Sequence, residues 1–475
     1  MTGPEVSGDI HDAAMKLLED PALLYHVHNA TDDVVGEDEN RVVLWLLAGI
    51  SEPLQSVEIG GDSGSGKNRL ADSVTKCFPK SWTEKYTTVS AKSIRYIENP
   101  IRTLYLAERP HKHDDEEESH TDLDIKLLIS ESGGLTPLVT IFDAKTGKPK
   151  SAPIKTSIQN VIMTTTDVSC AVELENRVWT LITDNSPEQN RRVLDRQGWL
   201  ASGLPSQRPD YDAPKPIIQE VAFIIDKEAP KFVTIPYAQV FIDWVLGLQS
   251  ETRARRDYLK ILDLIKAIAR AHYKQNPKIY DPSTKEDVII ATVEDFLQAN
   301  RIGEKILTQT VTGINDRHME LYREACKLMD NGEALTVKTL TERMKRVKKR
   351  ISAATVRRGI DVLVDAGLLR STGTTQTGGK PADVYERNLD LNDLKEKKTV
   401  RAPLELITEI TRSYETWCRN QSVTPIGRIP INPIDGKPII IEKQETKPEG
   451  LGQFVNPRKL ILGIRSKLFR IVTPQ

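Results

Sequence analysis

One short segment constrains this 475-residue chain more than any other: Gly61-Asp62-Ser63-Gly64-Ser65-Gly66-Lys67-Asn68. A strand-like apolar run, Gln55–Ile59, precedes it, and a helical run, Arg69–Cys77, follows. Strand, glycine-rich loop and helix in that order specify an α/β unit built on a parallel sheet. Glycines let the backbone curl so that successive N–H groups face phosphate oxygens, and the start of the next helix adds partial positive charge. The spacing predicts a phosphate loop at Gly61–Asn68, with ATP the expected ligand and Lys67 reaching its β- and γ-phosphates. The position after the lysine ordinarily holds a Ser or Thr whose hydroxyl ligates Mg²⁺. Here it holds Asn68, whose amide oxygen can ligate a hard cation but is longer and differently placed.

The rest of the chain reads in blocks. Residues 1–50 carry apolar residues at helical spacing, with Pro21 ending or restarting a turn. Residues 51–204 alternate strand-like runs with helical segments; the strand candidates are Gln55–Ile59, Thr103–Ala107, Leu138–Phe142, Val161–Thr165 and Val178–Thr183. Residues 205–330 begin with a proline-rich linker, Pro205–Pro216, and are mostly helical from Pro236 to Met329. Residues 331–390 form a compact module, and 391–475 a C-terminal extension ending in a basic tail, Pro457–Arg470. No run of 18 apolar residues occurs, and Met1–Ile10 lacks a signal pattern, so no membrane partner is expected. Cys77, Cys170, Cys326 and Cys418 lie too far apart in sequence to suggest a zinc site or a disulfide framework. These features suggest a cytoplasmic protein with reduced thiols, associated with the nucleoid when on DNA.

The formal charge of −1 conceals an asymmetry. Residues 331–475 hold about 27 basic and 16 acidic side chains, roughly +11, which leaves the first 330 near −12. Polyanion contact is therefore expected towards the C-terminus. Thr336–Asn388 has the arrangement of a winged helix: a helix over Thr336–Lys349, a Ser352-capped helix over Ala353–Ala366 closed by Gly367, and a Gly/Thr-rich wing, Thr372–Lys380. Val356, Ile360, Leu363 and Val364 face a core, which frees Arg357 and Arg358 near the start of the second helix to meet DNA, with Lys380 on the wing.

From about Asp20 to Gln197 the chain resembles the AAA+ ATPase module of primase-helicase proteins carried by phages, plasmids and other mobile elements. More distantly it is similar to the minichromosome-maintenance replicative helicases. The resemblance rests on Pro21-Ala-Leu-Leu24, Val35-Gly-Glu37 with Asn40, the phosphate loop and Ser130-Glu-Ser132-Gly-Gly-Leu135. It continues through Phe142-Asp-Ala-Lys-Thr-Gly147, Met163-Thr-Thr-Thr166, Glu173-Leu-Glu-Asn-Arg177 and Asp184-Asn-Ser-Pro-Glu-Gln-Asn-Arg191-Arg192. Arg255-Arg256-Asp257 matches the family's helical lid. The primase half and zinc finger of those relatives have no counterpart in any Cys/His spacing here.

The resemblance implies a P-loop AAA+ core with a helical lid, followed by an all-α/winged-helix domain. It implies Glu108 as the water-activating base on Thr103–Ala107, although Ala107 stands where the metal-side acid belongs. Thr164–Thr166, Thr165 among them, would position water and sense the γ-phosphate, and Arg177 would act as an arginine finger in the neighbouring subunit of a hexameric ring. A hairpin around Asp143–Gly147 would carry Lys145, Lys148 and Lys150 to the DNA backbone. Arg191, Arg192, Arg255 and Arg256 are weaker candidates for a second sensor. The charged segment Arg109–Asp122, with His111, His113 and His120, replaces a short turn and reads as an insertion rather than a metal site. The implied function is an ATP-dependent DNA helicase or translocase of a replication system, acting on single-stranded and duplex DNA with other replication proteins. The alternative is a hydrolysis-deficient AAA+ assembly or loader protein that binds DNA.

Overall fold

The computed structural model describes residues 8–440, except 88, 90–92, 98, 109–123, 126, 130–135, 137, 143–148, 154–155, 167–177, 249–250, 313–315, 348–350, 366–367, 378–379 and 388–401. Three N-terminal helices, α1 (Gly8–Leu18), α2 (Leu23–Ala30) and α3 (Asp38–Leu44), precede the first strand, and α3 runs on into a π-helical turn, Trp45–Ile50. This agrees with the helical reading of residues 1–50.

The central sheet has five strands, all parallel: β1 (Val57–Gly60), β2 (Thr83–Tyr86), β3 (Ile101–Leu106), β6 (Ile158–Thr165) and β7 (Trp179–Ile182), in the order β2-β3-β6-β1-β7. Both faces are covered, which explains the nearly continuous apolar runs. Alternation along β6 sends Ile162 into the larger core and Val161 and Met163 into a smaller one. Tyr105 and its neighbours Leu104 and Leu106 divide the same way on β3. The edge strand β2 has no apolar run to announce it; Glu84, Lys85 and Tyr86 are exposed. Outside the sheet, β4 (Leu138–Phe142) and β5 (Pro149–Pro153) pair antiparallel, as the hairpin reading expected.

Helix α4 (Lys67–Thr75) leaves the phosphate loop, and α5 (Pro187–Ser202) leaves β7. Then come α6 (Lys215–Glu228), α7 (Ile242–Leu248), α8 (Glu251–Ala271) and α9 (Val293–Thr312). Residues 236–329 are not as uniformly helical as expected. β9 (Lys278–Asp281) and β10 (Glu286–Ile290) form a hairpin that β8 (Phe232–Thr234) joins in parallel. An Asx turn drives it: Asp281 Oδ1 accepts from the Ser283 N–H at 2.9 Å, and Lys285 takes φ 58° to close the loop.

Helix α13 (Leu404–Asn420) buries Leu406, Ile407, Ile410, Tyr414 and Cys418 in the same core as α6, α8 and α9. Residues 316–387, starting one helix before the expected boundary at 331, have a core of their own. There α10 (Asp316–Asp330), α11 (Val337–Val347) and α12 (Ala353–Asp365) pack with the antiparallel hairpin β11 (Leu369–Thr377) and β12 (Lys380–Arg387). Val356, Ile360 and Leu363 are buried there as expected, and Ser352 Oγ accepts from the Thr355 N–H at 3.1 Å to cap α12.

Candidate nucleotide site

The loop Gly61–Gly66 leaves the carboxyl end of β1, a central strand, where ligands of open parallel sheets collect. Gly64 and Gly66 adopt φ of 82° and 90°, left-handed backbone that a side chain would strain, and Gly66 sits at the N-cap of α4. Gly61 is needed for space: a Cβ there would lie 1.9 Å from Thr183 Oγ1 and 2.7 Å from Ser65 Oγ. The loop is tied to both flanking strands. Gly61 N–H donates to Thr165 O at 3.3 Å, and Thr183 Oγ1 donates to Ser65 Oγ at 2.7 Å. Thr183 is a positioning residue that sequence reading passed over, because a threonine ending a strand carries no motif.

Lys67 is only 9% exposed, and its ammonium donates to Gly61 O at 2.9 Å and Asp62 O at 2.7 Å. Burial lowers its pKa, against the opposing charges of Asp62 and Glu108. The carboxylate of Glu108 therefore acts electrostatically on the same ammonium, from an exposed position two residues beyond β3. Ser63, Gly64 and Asn68 are exposed at the mouth of the loop, and Asp62 Oδ2 accepts from Asn185 at 3.3 Å.

The hydroxyl that reaches this site from β6 is Thr164. Its Oγ1 is hydrogen-bonded to the Asn68 side-chain amide at 2.7 Å and to the carbonyl of Ala107. Thr165, the residue singled out from the sequence, is buried beside it and supplies the carbonyl that holds Gly61. Asn68, Ala107 and Thr164 are thus brought together, and they bear directly on the metal. Mg²⁺ usually takes one or two carboxylates in addition to substrate phosphates. Here Ala107 brings no carboxylate; the carboxylates at the site are those of Asp62 and Glu108, which act on the Lys67 ammonium.

A second polar cluster fixes the approach to the loop. Glu37, in left-handed backbone at φ 57°, accepts from Asn40 Nδ2 at 2.6 Å and from the Asp184 N–H at 2.6 Å. Gln189 Nε2 donates to Val35 O at 2.6 Å, and a Cβ on Gly36 would collide with that Gln189 side chain. Asp38 Oδ1 accepts from buried Arg41 at 2.6 Å and lies 3.1 Å from His28 Nε2. The His28 hydrogen bond, with Arg41, holds the Asp38 carboxyl well below the usual carboxylate range against the opposing effect of burial. Val35–Asn40 is therefore clamped to the strand-to-helix turn after β7.

The remaining predicted residues divide. Arg177, Lys145 and Lys148 lie outside the described residues, as does Arg109–Asp122. Lys150 is described only through its backbone on β5, opposite Ile141, and Lys380 only through its backbone on β12, opposite Thr377. Arg357 and Arg358 are exposed on α12. Arg191 pairs with Asp195 on its own helix at 2.9 Å, and Arg192 lies 3.6 Å from Asp38. Arg255 is exposed on α8. No helix among the described residues is long and apolar enough to cross a membrane. No protein-family model matches the chain, and no curated protein matches it.

Proposed function

We propose that this chain is an ATP-dependent, ring-forming AAA+ DNA helicase or translocase of a replication system. The observation that supports the reading is that three features lie at the carboxyl ends of neighbouring strands of the parallel sheet. The phosphate loop follows β1, the Thr164 hydroxyl comes from the adjoining β6, and Glu108 lies two residues beyond β3, one strand further on. In this reading the loop binds the phosphates, Glu108 takes the proton of the attacking water, and Thr164 reports the state of the loop to β6. Arg177 completes the site from a neighbouring copy in a hexamer. The hairpin β4–β5 carries Lys145, Lys148 and Lys150 to single-stranded DNA. The module of α10–α12 and β11–β12 acts as a winged helix that meets duplex DNA through Arg357, Arg358 and Lys380.

The Asn68–Thr164–Ala107 contacts favour a second reading, an AAA+ assembly or loader protein that binds nucleotide and DNA without turnover. ATP turnover with and without single-stranded DNA separates the two. A motor gives turnover that rises with DNA and is abolished by Glu108→Gln. Binding of ATP with no turnover in either condition leaves the assembly reading.

A further inference from the structure

We propose that Glu37 is a positioning residue for the phosphate loop, acting on it through the turn of residues 183–185. The inference rests on the reading of Gly61–Asn68 as a nucleotide site and assigns a group, outside the central sheet, that keeps the site in shape.

The turn that leaves β7 holds the loop with its first and third residues. Thr183 is buried; its N–H donates to Gly60 O at 2.9 Å and its hydroxyl is bonded to Ser65 Oγ at 2.7 Å. Asn185 donates to Asp62 Oδ2 at 3.3 Å. The residue between them, Asp184, gives its N–H to Glu37 Oε1 at 2.6 Å. Glu37 Oε2 accepts from Asn40 Nδ2 at 2.6 Å, and the same Nδ2 donates to Ile182 O at 3.0 Å, so the last residue of β7 is held as well. Glu37 and Asn40 are both buried, and Gly36 and Glu37 take φ of 71° and 57° in succession. A non-glycine residue keeps left-handed backbone only where its surroundings over-determine it. The chemistry at this point requires a carboxylate. Both groups that face Glu37 are donors, and a carboxylate accepts on each oxygen. The Asn40 amide cannot turn over to help, because Ile182 O and Glu37 Oε2 both accept from its nitrogen. Glutamine has the shape of Glu37 but one accepting end, so its own N–H₂ would oppose either Asn40 or the Asp184 N–H. The turn then loses a fixed point on the side away from the loop, and Thr183 and Asn185 move with it.

The test is the equilibrium affinity of the full chain for ATP, measured by calorimetry on the wild type, Glu37→Gln, Thr183→Val and the double variant, each checked for folding by circular dichroism. Glu37→Gln and Thr183→Val are each expected to weaken binding by at least about fivefold. Because Glu37 acts through the turn, the double variant is expected to be weaker than the poorer single variant by no more than about twofold. A purely structural role lowers stability and leaves affinity in place, so a folded Glu37→Gln that binds within about twofold of the wild type overturns the proposal. Losses that multiply in the double variant also overturn it, since they report independent action. Hydrogen exchange at the Asp184 amide of the wild type gives a reading that needs no variant. By linkage, saturating ATP should slow it at least about threefold, and an unchanged rate overturns the proposal. No ATP binding by the wild type overturns the nucleotide reading and this proposal with it, a result distinct from the others.

Discussion

Replacing Arg428 with methionine tests whether the segment after α13 belongs to the helical domain it touches. The guanidinium enters that domain and is almost completely buried. Nη1 donates to Asn276 Oδ1 at 2.5 Å, and Nη2 donates to Asp295 Oδ1 at 2.6 Å and Gln298 Oε1 at 3.1 Å. Asp295 and His272 are fully buried beside it. Burial, reinforced by the Arg428 charge, pushes the His272 pKa well below its ordinary value, so the imidazole is neutral and supplies no replacement cation. Without Arg428, Asp295 keeps the Thr292 N–H and Asn276 Nδ2, both at 2.7 Å, but has no positive charge. Removing one partner of a buried pair costs about 3–5 kcal/mol, and methionine recovers part of the lost packing, so about 3 kcal/mol is expected. Urea unfolding followed by tryptophan fluorescence reads this as a lower midpoint at pH 7. Adding Asp295→Asn, which removes the stranded charge, should restore at least about 1 kcal/mol. A loss below about 1 kcal/mol, or strictly additive effects in the double variant, would refute the reasoning.

Other expectations follow from the same contacts. Asp38→Asn should destabilise the chain by about 1–3 kcal/mol at pH 7, because it takes the nearer carboxylate from buried Arg41 and leaves it only Asp32, 3.8 Å away. The folded pKa of Asp38 is depressed, so the stability it contributes is present above the unfolded value near 4 and is lost as pH falls through and below it. The gap between wild type and Asp38→Asn should therefore shrink when unfolding is repeated at about pH 3, and a gap that widens contradicts the assignment. Arg357→Ala and Arg358→Ala should each weaken duplex DNA binding with little dependence on sequence. Each should also lower the slope of log affinity against log salt by about one if the side chain meets a phosphate. Unchanged affinity in both would remove α12 from the DNA interface.

The parts of the fold that were legible in sequence were those whose local chemistry has one solution. Gly64 and Gly66 stand where the backbone must be left-handed, and an apolar run before them leaves little choice but a buried strand. The pattern of Val356, Ile360 and Leu363 gave the buried face of α12, and Ser352 marked its start. What escaped was set by tertiary contact. β2 is an exposed edge whose pairing with β3 provides what its side chains do not. β9 and β10 are short and sit between two long helices, so helical periodicity on either side masked them. Arg428 lies in a Pro/Gly-broken stretch with no periodicity, and its partners come from 130 to 156 residues away. At the site itself, a run of three threonines cannot show which hydroxyl faces the loop. The pleat of β6 sends Thr164 towards Asn68, while Thr165 holds Gly61 through its carbonyl.

The most direct test of the account is ATP binding by the full chain against Lys67→Ala. The variant should lose at least about a hundredfold in affinity, since the buried ammonium that donates to Gly61 O and Asp62 O is the charge placed to meet the phosphates. Saturable binding by the wild type that collapses in Lys67→Ala is the predicted result. Equal binding by the two proteins, or none by the wild type, would contradict the claim that Gly61–Asn68 holds a nucleotide.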